Sequence, residues 1–218
     1  IVAFERAIHV WCGLTGSHLL SEYRHKSKIT CLERESQCGD LIISADNSGC
    51  VMVWDPRSGH TRYVRECETS VSAVSMFSAI LVVGTNDGSV RIFDTNSRDM
   101  VHVEQNLHKD DSSVTSLSIT EQQDRYLITS GGQDGIVWLI FVRKRQQEEF
   151  DSRHNKNDDM KVGEFGKMQF LYKKHLRGHS SSITYVASNA FTTLTSCQDG
   201  MHKIWQNDGN HIGRCLCT

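Results

Sequence analysis

Apolar and polar residues alternate along this chain with a period of two, and a helical period appears nowhere convincingly, so strands are predicted throughout. One phrase recurs: an apolar pair, a polar turn ending in Gly, alternating apolar residues, then a large side chain. It reads LIISADNSGCVMVWD at 41–55, LVVGTNDGSVRIFD at 81–94, LITSGGQDGIVWLI at 127–140 and LTSCQDGMHKIW at 194–205, with a degenerate copy, IVAFERAIHVW, ending at Trp11. In the four glycine-bearing copies Gly49, Gly88, Gly135 and Gly200 precede Trp54, Phe93, Ile140 and Trp205 by five positions each. Each phrase therefore reads as strand, tight hairpin turn, strand.

Further strand signals flank every phrase. Upstream lie SKITCLE (27–33), TSVSAVSM (69–76), SSVTSLSI (112–119) and SSITYVA (181–187); downstream lie TRYVREC from Thr61, MVHVEQ from Met100, MQFLYKKH from Met168 and HIGRCLCT from His211. The repeating unit is four short antiparallel strands. Large residues at 11, 54, 93, 140 and 205 are spaced by 43, 39, 47 and 65 positions. The first three spacings fit a four-stranded propeller blade, and the last requires an insertion. That insertion is the charged, apolar-poor segment 143–167, expected to be a loop between the third and fourth strands of its unit rather than a second domain.

Composition narrows the function classes. With 24 Lys+Arg against 26 Asp+Glu, the net charge of −2 argues against a non-specific polyanion binder. Eight Cys sit mostly inside apolar runs with no C-x-x-C pair, and there is no N-x-[ST] acceptor, which suggests reduced thiols in an intracellular protein, cytoplasmic or nuclear. No apolar stretch approaches a membrane span.

At this point the chain resembles the WD-repeat (WD40-type) β-propeller family, over nearly its whole length outside the insertion. Gly178-His179 through Asp199-Gly200 to Trp205 and the Trp54-Asp55 dipeptide carry the resemblance, with Phe93-Asp94 as a substitute dipeptide. It implies an all-β propeller segment of four whole blades and part of a fifth, at about 1–26 (partial), 27–68, 69–110, 111–178 and 179–218. This reads as the C-terminal part of an incomplete ring. The resemblance also implies a buried hydrogen-bonded tetrad of His179, Thr195, Asp199 and Trp205, complete only in the last unit. Asp87 and Asp134 hold the turn position of their units, Ser48 and Glu5 replace it in others, and Ile140 stands where a Trp is usual.

The family's partners usually dock on the narrower top face of the ring. Carried over position by position, that face is Lys28, Thr30, Ser70, Ser72, Ser113, Thr115, Ser182 and Thr184 from the innermost strands, with Asn47, Asn86, Gln133 and Gln198 from the turns. Short neutral donors and acceptors suit an extended peptide better than a phosphate, which calls for converging Arg. The expected function is thus a non-enzymatic protein-interaction scaffold without cofactor or metal. The alternatives are a substrate-recognition subunit of an F-box-type ubiquitin ligase and a subunit of an RNA-processing or ribosome-assembly particle. His211, Cys215 and Cys217 are spaced permissively for a metal but lack a fourth ligand, so core packing is the better reading. No phosphate-cradling loop, nucleophile elbow or H-E-x-x-H motif occurs.

Overall fold

The computed structural model describes residues 1–22, 24–37, 39–109, 112–143 and 168–216, the last two by their backbone. The charged insertion beyond Arg143, and Cys217, lie outside the described residues.

Nineteen strands among these residues form five antiparallel sheets. The first has three strands, β1 (Val2–Phe4), β2 (Ala7–Trp11) and β3 (His18–Glu22). Four complete sheets follow: β4 (Ile29–Arg34) to β7 (Thr61–Glu66), β8 (Val71–Phe77) to β11 (Met100–Glu104), β12 (Val114–Glu121) to β15 (Gln169–Leu176), and β16 (Ile183–Ser188) to β19 (His211–Leu216). Within each of these four, strands pair in chain order. We number the sheets as blades 1 to 5. The architecture is an all-β arc of propeller blades, one of them partial.

The recurring phrase supplies the second and third strands of each complete blade. Its polar residues close a turn in which the Gly N–H bonds the carbonyl three residues back: Gly49 to Asp46, Gly88 to Thr85, Gly135 to Gly132 and Gly200 to Cys197, at 3.0–3.2 Å. The four glycines have φ between 73° and 93°. That conformation costs an L side chain energy, which explains the constant spacing from Gly to the large residue.

Adjacent blades bury their apolar faces against each other. The innermost strands of blades 4 and 5 each send a β-branched residue into a small position on the preceding blade: a Cβ at Gly84 would lie 2.5 Å from Val114, and one at Gly131 2.5 Å from Ile183. Three clusters fill the inter-blade layers, centred on Val53 and Phe93, on Ile92 and Ile140, and on Phe141 and Trp205. Each of these side chains is at most 5% exposed. A fourth, smaller cluster joins Ile8 and Val10 of blade 1 to Ile42 and Trp54 of blade 2. The outward faces of blades 1 and 5 are uncovered here, leaving Phe4, Leu19, Tyr185 and Ile204 exposed.

Candidate binding face

The two sets of candidate face residues meet through one repeated backbone bond. The residue before each turn position donates its N–H to a carbonyl at the start of the innermost strand: Asn47 to Lys28, Asn86 to Ser70, Gln133 to Ser113 and Gln198 to Ser182, at 2.9–3.0 Å. Four turns are thereby clamped beside four strand starts at one end of the arc. Asn47, Asn86, Gln133 and Gln198 are all exposed there, as are Lys28, Thr30 and Thr184.

Ser70, Ser72, Ser113, Thr115 and Ser182 are half-buried, and the hydroxyls of the set mostly serve the fold. Thr30 Oγ1 donates to Val71 O at 2.6 Å, tying blade 2 to blade 3; Ser72 donates to Gly84 O and Thr115 to Gly131 O within their own blades. Ser70 donates to the Asn47 side-chain carbonyl at 2.7 Å, which holds that amide in place. Ser182 makes only a long contact, 3.5 Å, to Ile183 O. Thr30, Ser72, Thr115 and Thr184 also line an axial space of about 480 Å³ where the four innermost strands converge. Glu33, on the same strand as Thr30, also lines that space, and desolvation pushes its carboxyl above its ordinary value.

Beneath the turns lie buried polar networks, more of them than the sequence suggested. In blade 5, Trp205 Nε1 donates to Thr195 Oγ1 at 2.9 Å, and Thr195 lies 2.7 Å from His179 Nε2. His179 Nδ1 then meets Cys197 Sγ at 2.8 Å, and the thiol donates to Asp199 at 2.6 Å. The imidazole and the carboxylate are thus bridged by a sulfur that the family pattern gave no reason to expect. The Cys197 thiol first, then the Met201 N–H and the Ser180 hydroxyl, hold the Asp199 carboxyl at about 2. Burial and the adjacent carboxylate push the Cys197 thiol up, and burial pulls the His179 imidazole down.

Blades 2 and 4 carry networks that the motif missed. In blade 4, His108 Nδ1 lies 2.9 Å from Asp134 and Nε2 2.9 Å from Ser130. In blade 2, His25 contacts Asp46 at 2.8 Å and Ser44 at 2.7 Å. Here the carboxylate comes from two positions before the expected turn residue, and Ser48, which occupies that position, donates both N–H and Oγ–H to it. The expectation that only the last unit holds all four residue types is therefore corrected: His25, Ser44, Asp46 and Trp54 supply them in blade 2. Trp54 Nε1, however, has no hydrogen-bond partner. His25 follows no glycine, which is why the motif passed over it. In blade 3 Arg91 takes the place of the imidazole, donating to Thr85 Oγ1 at 2.9 Å while Thr85 donates to Asp87.

Chemically these networks are closed. Ser44, Ser130 and Thr195 are each 0% exposed, so no substrate reaches the hydroxyls and the His–Asp pairs have no nucleophile to activate. His25, Asp46 and Cys50 lie within 4.8 Å of one another, as a metal site would require. Yet both ring nitrogens and both carboxylate oxygens are already bonded within the protein, and burial, with nearby Asp46, lifts the Cys50 thiol to about 11. A thiolate ligand is thus disfavoured, and the donors fit a structural lock rather than a cation. Among the described residues no helix is long and apolar enough to cross a membrane.

Comparison with known proteins agrees with this architecture. Solved chains with the same fold include the computationally designed Ika8 protein (23% identity, TM-score 0.68, covering 95% of this chain and 55% of that one). U3-55K matches at 18% identity and TM-score 0.71, covering 97% and 58%, and a chain of the Mitotic Checkpoint Complex at 18% and 0.70, covering 98% and 61%. The chain therefore spans little more than half the length of these proteins. No curated protein matches it. The family described as WD domain, G-beta repeat matches at 16–55, 57–94 and 170–206, more than half of the sequence, and the chain belongs to that WD40 family.

Proposed function

We propose that this WD40 scaffold binds an extended peptide of a protein partner across the exposed amides Asn47, Asn86, Gln133 and Gln198. The repeated backbone clamp carries the reading. It holds four neutral donor–acceptor side chains on rigid turns, at one end of the arc and at regular intervals, beside an axial space lined by hydroxyls. Amides pair with the carbonyls and N–H groups of a peptide main chain, and rigid turns lower the entropy lost on binding. Lys28 is the sole formal charge of the set, which disfavours a phosphate-centred ligand.

The test is affinity capture from cells with mass spectrometry, comparing the parent with Asn86→Arg/Gln133→Arg/Gln198→Arg. All three positions are exposed, so the variant should melt within about 2 °C of the parent. Loss of specific partners supports the face; an unchanged partner list refutes it. A second reading, a subunit of a larger assembly, is favoured by the likeness to a chain solved within the Mitotic Checkpoint Complex. Co-captured cullin adaptors would identify its ligase form. Capture that weakens steeply with added salt would identify its RNA-particle form.

A further inference from the structure

One carboxylate stands in an axial space that uncharged side chains otherwise line. Glu33, near the end of β4, is exposed to this space of about 480 Å³, and it is the only charged group among the described residues of its wall. No cation is beside it: Arg34, the next residue, turns its guanidinium to the Gly39 carbonyl at 2.8 Å, and Lys28 stands at the amide end, about 16 Å along the strand. Desolvation therefore outweighs the bond from the Arg34 N–H, and the Glu33 carboxyl sits above its ordinary value. Cys31 lines the space too, but burial pushes its thiol up to about 11 and keeps it neutral.

Acceptors from two further blades stand at the same level. Ser75 and Ser118 follow Ser70 and Ser113 by five residues, as Glu33 follows Lys28, and all three strands carry their bulge at the same place. The clamped carbonyls of Lys28, Ser70 and Ser113 fix the register, so the three side chains form one tier of the axial wall. Ser75 is only 9% exposed, and its hydroxyl bonds nothing among the described residues. A buried hydroxyl without a partner opposes folding, and this one borders the space. Ser118 accepts the Ser188 N–H at 3.1 Å and keeps a second lone pair. Nearer the amides, Thr30, Ser72 and Thr115 spend their protons on backbone carbonyls, so they too offer the space lone pairs.

Such a wall selects a donor with one positive charge. An anion would meet Glu33, a neutral group would leave the carboxylate uncompensated, and a divalent metal ion calls for more protein oxygens of full charge than one carboxylate supplies. A planar guanidinium fits best the two oxygens of one carboxylate, whereas an ammonium group directs three N–H bonds apart, towards acceptors on separate strands. On a protein-interaction scaffold that group is a lysine side chain of the partner.

We infer that the axial space is a lysine-binding site, in which Glu33, Ser75 and Ser118 accept from the ammonium group of a partner's side chain. It is independent of the amide turns. The probe is N-acetyl-lysine N-methylamide, titrated while the methyl NMR signals of Leu32, Leu117 and Val186, which line the space, are followed. Saturable shifts are expected, with affinity at least about tenfold weaker in Glu33→Gln and about fivefold weaker in Ser75→Ala. Both variants should melt no lower than the parent, since one removes an uncompensated carboxyl and the other an unpaired hydroxyl. The probe acetylated at Nε, which has lost its charge, and the arginine analogue should bind more weakly. Magnesium chloride should displace the probe no better than sodium chloride of equal ionic strength, and the Asn86→Arg/Gln133→Arg/Gln198→Arg variant should titrate like the parent. Absence of saturation, undiminished affinity in Glu33→Gln or Ser75→Ala, equal binding of the acetylated or arginine probe, specific displacement by magnesium, or loss of binding in the triple variant would each overturn the proposal.

Discussion

Replacing Gly132 with Ala should unlock the buried histidine of blade 4. A Cβ at this position would lie 2.1 Å from His108 Nδ1 and 2.5 Å from its Cγ, while the ring, 0% exposed, has no open direction in which to yield. Gly132 is not among the left-handed glycines, so Ala suits the backbone and the penalty is one of contact. Expelling the ring breaks its 2.9 Å bonds to Asp134 and Ser130 and strands Ser130, itself 0% exposed. A hydrogen bond to a charged group is worth about 1.5–3 kcal/mol, and a stranded buried hydroxyl costs about 1–3 kcal/mol. The combined loss is about 3–5 kcal/mol, which for a chain of this size lowers the melting temperature by roughly 10 °C. Calorimetry and urea unfolding measure it. Gly213→Ala, in β19 with nothing within 4 Å, is the matched control and should change stability by less than about 0.5 kcal/mol. In a cycle with His108→Ala the two penalties should overlap, because the added methyl then meets no ring. A Gly132→Ala protein melting within 2 °C of the parent, or strictly additive penalties, would refute the reasoning.

Three other outcomes follow from the same networks. Trp205→Phe forfeits the bond to Thr195 whereas Trp54→Phe removes an unpartnered N–H, so the first should cost at least about 1 kcal/mol more by urea unfolding. At Cys197, Ser can still bridge His179 and Asp199 but Val cannot, and Val should be the more destabilising by about 1–2 kcal/mol. Burial alone would raise the carboxyls of Asp46, Asp87 and Asp134, but bonds from His25, Ser48, Thr85, His108 and backbone N–H groups outweigh it and hold all three below 3.8. Their charged forms therefore favour the fold: stability should be level above about pH 5 and fall as pH drops below 3.8 through the lowered values. Asp134→Asn should lose part of that acid dependence in pH-dependent melts, and an unchanged slope would show that the carboxylate is not held by its partners.

The strands were legible because a sheet buried between blades leaves a period-two record, and the turns because a left-handed glycine admits few substitutes. Candidate face positions could be placed from the same register, and the structure puts the turn amides beside the strand starts. The sequence did not separate two roles within that set. Ser and Thr at the strand starts resemble ligand contacts in type and spacing, yet Thr30, Ser72 and Thr115 donate to backbone carbonyls. The buried networks were harder still. A His–Asp pair is joined through space, so His25 with Asp46 left no fixed spacing to find. An insertion such as Cys197 between His179 and Asp199 is visible only when the distances are measured.

One position explains how these networks differ while the blades stay alike. Two residues before the turn position stand Asp46, Thr85, Gly132 and Cys197. Gly132 leaves room for His108 to reach Asp134 directly, and Cys197 fills that room and relays the bond. Asp46 brings its own carboxylate to His25, and Thr85 mediates between Arg91 and Asp87. Each solution satisfies buried polar groups that would otherwise oppose folding. Each also fixes the backbone immediately before the exposed residue, Asn47, Asn86, Gln133 or Gln198. Mutations within the networks should therefore disturb the amide face through the rigidity of its turns, with no loss of a contact at the face itself. Partner affinity and turn stability should fall together in Gly132→Ala, whereas Gln133→Arg should lower affinity alone.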